Sequence, residues 1–126
     1  MRVQRRLVLA AVALGAALAA DMPVWRTYGA PTAETLLVAL PGGAGFPFPD
    51  DYFDTLATRY LVATYDACGV RASADACARR DTWQEMIDDA ARVFEAATAR
   101  YGNGSRTVVL VGFSGGEGQQ AGTNND

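Results

Sequence analysis

The chain has 126 residues, enough for one small domain, with 11 basic residues against 14 acidic ones and a net charge of −3. Every basic residue is an arginine, and the arginines are scattered rather than clustered, which argues against nucleic acid as a partner. Histidine is absent and cysteine occurs twice, so the sequence supplies neither a histidine base nor a cysteine–histidine zinc site, and no cofactor is expected.

The first 19 residues read as a secretory signal peptide. Arg2, Arg5 and Arg6 precede an uncharged run from Leu7 to Ala20, and Ala17-Leu18-Ala19 gives the small-residue cleavage pattern. The apolar run is shorter than the roughly 20 residues a membrane span needs, so no membrane span is expected after cleavage. An uncleaved anchor or a buried helix is the alternative. Cleavage removes three arginines and no acid, leaving eight arginines against 14 carboxylates, a net charge of −6. The expected location is exported, periplasmic or secreted.

From residue 20 onward, strand-like and helix-like segments alternate. Pro23 to Tyr28 fits a first edge strand. Thr35 to Leu40, TLLVAL, is a short continuous apolar run ended by Pro41-Gly42-Gly43-Ala44-Gly45, as expected of a strand buried on both faces. Asp50 to Thr58 places acids first and Tyr52, Phe53 and Leu56 at helical spacing, which predicts a short helix. Tyr60 to Tyr65, YLVATY, is a second apolar run, ending at Asp66 and the loop CGVRASADAC. In an exported chain the Cys68 and Cys77 pair favours a disulfide, with two free thiols as the alternative. Closing so short a loop would stabilise by roughly 2–3 kcal/mol on the chain-entropy model.

Thr82 and Glu85 form the pattern of a capping box. Trp83, Met86, Ile87, Ala90, Phe94, Ala97 and Tyr101 then recur on one stripe, with Glu85, Asp88, Asp89, Arg92 and Glu95 mostly away from it. Gly102 stands where a helix stops, and Arg106 to Val111 reads as the next strand. Strand–helix alternation with short links predicts an α/β fold with a mainly parallel sheet and flanking helices.

The last strand runs into Gly112-Phe113-Ser114-Gly115-Gly116, a G-x-S-x-G sequence in its required strand context. Small residues two before and two after the serine permit a sharp strand-to-helix turn, and the N–H after the serine points at a developing oxyanion. The glycine-rich loop after Leu40 sits where a second oxyanion donor would come from. Phosphate-binding readings fail, because a Walker A loop needs a lysine and G-x-G-x-x-G would need glycine at Phe48.

LPGGAGF, YLVATYDACG, the Asp81 to Tyr101 helix and VVLVGFSGG, taken in order, resemble the N-terminal half of an α/β-hydrolase of the serine esterase or lipase kind. The resemblance implies Ser114 as nucleophile and the Gly43 and Gly115 N–H groups as oxyanion donors, acting on a small-molecule ester or amide. It implies a structural, turn-stabilising role for Asp66. In that family the acid and the histidine follow the serine, and here only Glu117 to Asp126, EGQQAGTNND, follows. The organisation expected is therefore a signal peptide over 1–19, the N-terminal half of a hydrolase domain over 20–116, and a polar tail over 117–126 that leaves the family pattern. On this reading the chain is truncated after the nucleophile turn and inactive by itself, and its last strand offers an unpaired edge for self-association. A non-catalytic exported α/β binding domain, or a fragment without function, is the alternative.

Overall fold

A computed structural model describes residues 21–41, 46–102, 104 and 106–112. Four strands are present among them: β1 (Trp25–Tyr28), β2 (Thr35–Leu40), β3 (Leu61–Tyr65) and β4 (Thr107–Gly112), with one α-helix, α1 (Trp83–Tyr101), between β3 and β4. They form a single mixed sheet in the order β1-β3-β2-β4. β2 is parallel to both β3 and β4, while β1 runs antiparallel on the outer side of β3. This is a small α/β fold with a mainly parallel sheet.

β2 occupies the interior because its sequence tolerates nothing else. Leu36, Val38 and Leu40 are fully buried, and Ala39 on the opposite face is 2% exposed, so neither face is free to meet water. All five residues of β3 are buried as well. Register then assigns the faces. Leu36 pairs with Leu61 and Val38 with Ala63, and these join Leu40 and Tyr65 against Ala90, Val93 and Ala97 of α1. The intervening Ala39 and Val62 pack with Phe48 and Phe53, which come from the connection between β2 and β3. Alternation along each strand thus directs the two crossovers to opposite faces of the sheet.

The helix begins as its sequence predicts. Thr82 Oγ1 accepts from the Glu85 N–H at 3.2 Å, and the Glu85 carboxylate accepts from the Thr82 N–H at 3.2 Å. At the other end the Gly102 N–H closes on the Thr98 carbonyl at 2.7 Å. The buried stripe differs from the expected one in three places. Trp83 remains 46% exposed. Val93 is fully buried in its stead, and Asp89, expected on the polar side, is 3% exposed.

The expected helix over 50–58 is instead a series of turns ending in a 3-10 turn at Leu56–Thr58. Its backbone bonds are mostly of the three-residue kind, as from Asp54 to Asp51 and from Thr58 to Thr55. The Thr58 hydroxyl also donates to the Thr55 carbonyl at 2.7 Å, offering the backbone a non-helical partner. Asp and Thr favour turns for this reason, and a nine-residue stretch is too short to offset it.

Cys68 and Cys77 form a disulfide, with Cα atoms 5.0 Å apart. Among the described residues no helix is long and apolar enough to cross a membrane. The signal-peptide reading of 1–19 and the polar tail over 117–126 fall outside the described residues.

Replacing Thr82 with Ala removes both bonds of its Oγ1, to the Glu85 N–H and to the Glu85 carboxylate, and leaves the bond from the residue 82 N–H to Glu85. The expected outcome is a loss of about 1 kcal/mol of unfolding free energy, read from a shifted urea midpoint at unchanged slope.

Candidate functional site at the carboxyl edge of the sheet

Parallel strands deliver their ends to one edge. Leu40 of β2 lies opposite Gly112 of β4, and Ala39 lies opposite Thr64 of β3. With neighbouring strands about 4.8 Å apart, the chain leaves β2 at Pro41 and β4 at Gly112 from adjacent positions. The Pro41–Gly45 loop and the Phe113-Ser114-Gly115-Gly116 segment therefore both start at this edge. Gly43, Ser114 and Gly115 themselves lie outside the described residues.

The third exit is Asp66, after β3. Its carboxylate is 2% exposed. Oδ2 accepts from the Ala72 N–H at 3.2 Å, and Oδ1 forms an ion pair with Arg26 at 3.2 Å. Its carbonyl accepts from the Ser73 hydroxyl at 2.6 Å. Arg26 also donates to the Tyr28 hydroxyl at 2.6 Å. Burial pulls the Arg26 guanidinium down, but Tyr28 and the charge on Asp66 outweigh it and hold its pKa above the ordinary value. With this carboxylate committed to the turn and to β1, Asp66 acts as a turn stabiliser, the role the sequence suggested.

A second link at this edge was not visible in the sequence. Arg71 adopts a positive φ of 44°, unusual for a residue with a side chain. Its guanidinium donates to the Phe48 carbonyl at 3.1 Å and to Asp50 at 2.8 Å. The disulfide loop thereby ties down the segment that follows the glycine loop. Of the aromatics in that segment, Phe48 is buried, stacked on Tyr52 and edge-on to Phe53, while Phe46 is 76% exposed. Backbone strain at Arg71 was beyond any periodicity argument, since nothing in RASADAC marks the arginine for the left-handed region.

Asp89 is the other buried charge the sequence did not reveal. Arg80 meets it with two bonds, Nε to Oδ2 at 2.8 Å and Nη2 to Oδ1 at 3.1 Å, and Arg92 also donates to Oδ1. The hydrogen bond to Asp89 is the main cause that holds the Arg80 pKa above its ordinary value, against burial. Cys68 Sγ lies 3.4 Å from Oδ2, so the ion pair sits directly against the disulfide. The available signal was a basic residue just before a helix whose second turn carries Asp88-Asp89. That pattern is common at exposed helix starts and does not specify burial.

Among the described residues no group of three or more Cys, Asp or Glu side chains could hold a metal ion. No family model matches the chain, and no curated protein or solved structure is significantly similar to it.

Tyr65, at the end of β3, is 3% exposed. Burial, with the charge of Asp89 added, raises its pKa far above the usual 10.0. A raised folded value means the fold retains a proton that the unfolded chain releases. The stabilisation is complete below pH 10 and declines as pH rises beyond it, by at most about 1.4 kcal/mol per pH unit. Urea midpoints measured from pH 8 to 11 are expected to fall in the upper part of that range. Tyr65→Phe is expected to flatten this fall.

Proposed function

We propose that the chain is the N-terminal portion of an exported serine hydrolase of the α/β-hydrolase type, cleaving an ester or amide acyl bond. The observation that carries this reading is the parallel register of β2 with β4, with Leu40 opposite Gly112. That register starts the glycine loop and the G-x-S-x-G segment side by side at the carboxyl edge, where open parallel sheets bind ligands. Ser114 would attack the carbonyl carbon, and the Gly43 and Gly115 N–H groups would receive the charge developing on its oxygen. Phe46, exposed one residue past the glycine loop, offers an apolar surface for the substrate's acyl or alcohol group. The reading needs no cofactor. A disulfide is compatible with export to an oxidising compartment, and the signal-like segment over 1–19 supports the same assignment.

The 126 residues contain no histidine, so the proton of Ser114 has no triad base here, and this chain alone is read as inactive. The nucleotide sequence beyond codon 126, translated in all three frames, is expected to encode an apolar helix, then an acid and a histidine at later strand ends. A protein restored from it is expected to hydrolyse short p-nitrophenyl esters, with kcat reduced about a million-fold by Ser114→Ala. No histidine in any frame, or turnover that survives the serine substitution, would leave a non-catalytic binding domain or a functionless fragment.

Self-association is a second proposal and rests on β4. Among the described residues β4 pairs with β2 alone, carries no charge from Thr107 to Gly112, and leaves Val109 38% exposed. Such an edge pairs readily with a second copy. Size-exclusion chromatography of the 126-residue chain is expected to show concentration-dependent oligomers, and Val109→Lys to shift them to monomer. A monodisperse unsubstituted monomer would refute this.

A further inference from the structure

The disulfide loop holds more than itself. β1 is a four-residue strand on the outer edge of the sheet. Beyond its pairing with β3, residues 21–28 pack Met22 and Trp25 on the core shared with α1, and three polar contacts tie them to the region of the disulfide loop. The Val24 N–H donates to Ser73 Oγ at 2.9 Å, Arg26 pairs with Asp66 at 3.2 Å, and Arg80 donates to the Asp21 carbonyl at 3.0 Å. Each partner is placed by the loop closed by Cys68 and Cys77. Ser73 is fully buried inside that loop and donates in turn to the Asp66 carbonyl. Asp66 Oδ2 is fixed by the loop's Ala72 N–H. Arg80 follows Cys77 by three residues, and the carboxylate that orients it lies 3.4 Å from Cys68 Sγ.

Apart from the cross-link, the loop is held by short turn bonds, such as Ser73 N–H to the Val70 carbonyl at 2.9 Å, and by Arg71 to Phe48 and Asp50. Its regular structure is one 3-10 turn, Arg71–Ser73, and two residues in four, Gly69 at φ 82° and Arg71 at φ 44°, take the left-handed region. A Cβ on Gly69 would come within 2.9 Å of the Arg79 Cβ, so the two ends of the loop are pressed together. The Gly69 N–H to Cys77 carbonyl bond, 2.9 Å, bridges the same two ends as the disulfide. Backbone in sparsely populated regions persists only where its surroundings over-determine it, and here the disulfide is one of those constraints.

We propose that the Cys68–Cys77 loop is a redox-controlled dock for the N-terminal strand: the oxidised loop seats residues 21–28 on β3, and reduction releases them while β2, β4 and α1 hold. Reduction by a dithiol breaks the S–S bond, gives each sulfur one electron and one proton, and leaves the dithiol as its cyclic disulfide. Ser73 and Asp66 then lose their fixed separation, and the three anchors are lost together. β2 and α1 retain Leu36, Val38, Ala90, Val93 and Ala97 as a common core, which takes no contact from the loop to form. The inference does not depend on the hydrolase reading.

The test is amide hydrogen exchange by mass spectrometry on the full 126-residue chain, oxidised and then in excess dithiothreitol. Exchange over 21–28 is expected to quicken about tenfold or more, while 35–40 and 83–101 keep their protection. Unchanged exchange over 21–28, or a parallel rise in all three segments, would overturn the proposal. Ser73→Ala, measured oxidised, supplies an arm in which both cysteines remain paired. It is expected to loosen 21–28 selectively, and normal protection there would equally count against the dock.

Discussion

β2 is parallel to both of its neighbours, and the rest of the architecture follows from that constraint. A parallel pair cannot be closed by a tight turn, so each pairing requires the chain to cross the sheet and return. The connection to β3 uses residues 41–60 and brings Phe48 and Phe53 onto Ala39 and Val62. The connection from β3 to β4 brings α1 onto Leu36, Val38 and Leu40. One crossover covers each face, and β2 has no polar side chain after Thr35 because it has no wet face. The same constraint brings Pro41, Asp66 and Gly112 to one edge, so the site position is a consequence of the topology rather than an addition to it.

Among the described residues, charge is admitted to this interior at Asp66 and Asp89, and each is paired with arginine. Asp66 is paired by Arg26 from β1, and Asp89 by Arg80 from the segment before α1. A buried ion pair roughly breaks even against an apolar replacement, yet removal of one partner strands the other charge. Such pairs therefore add less to stability than to specificity. Arg26 can reach Asp66 only with β1 in its observed register, and Arg80 joins Asp21 to Asp89 only with the N-terminal segment alongside α1. The polar contacts around the disulfide act as a register device for the one antiparallel strand.

How far the sequence disclosed this depended on whether a feature was local. The β2 boundaries and the start and stop of α1 could be read directly, because apolar runs, capping boxes and terminal glycines act within a few residues. Hydrophobic periodicity failed where a partner outside the helix decided burial: Asp89 reads as polar surface until Arg80 is known to fold over it. The 50–58 stretch has helical spacing but turn-forming residues, and the turns prevailed. At the site, the motif around Ser114 and the glycine loop were legible as spelling, and the register of Leu40 with Gly112 shows that the strands leading into them end side by side. Arg71 was illegible because its role lies in a backbone angle and two contacts more than 20 residues away in sequence.

The two sides of the sheet are protected by different means. On the β1 side the outer strand is short, carries Arg26 paired with Asp66, and follows Val24, whose N–H donates to Ser73 of the cross-linked loop. On the β4 side the described strand is longer, uncharged and apolar on both faces, with Val109 open to solvent. A strand with the composition of β4 belongs in the interior of a sheet, where both rows of backbone groups find partners. Its apolar character fits the proposed role as the strand that presents the nucleophile. The features that suit β4 to carry a catalytic turn are thus the ones that leave it exposed to association whenever no further strand covers it.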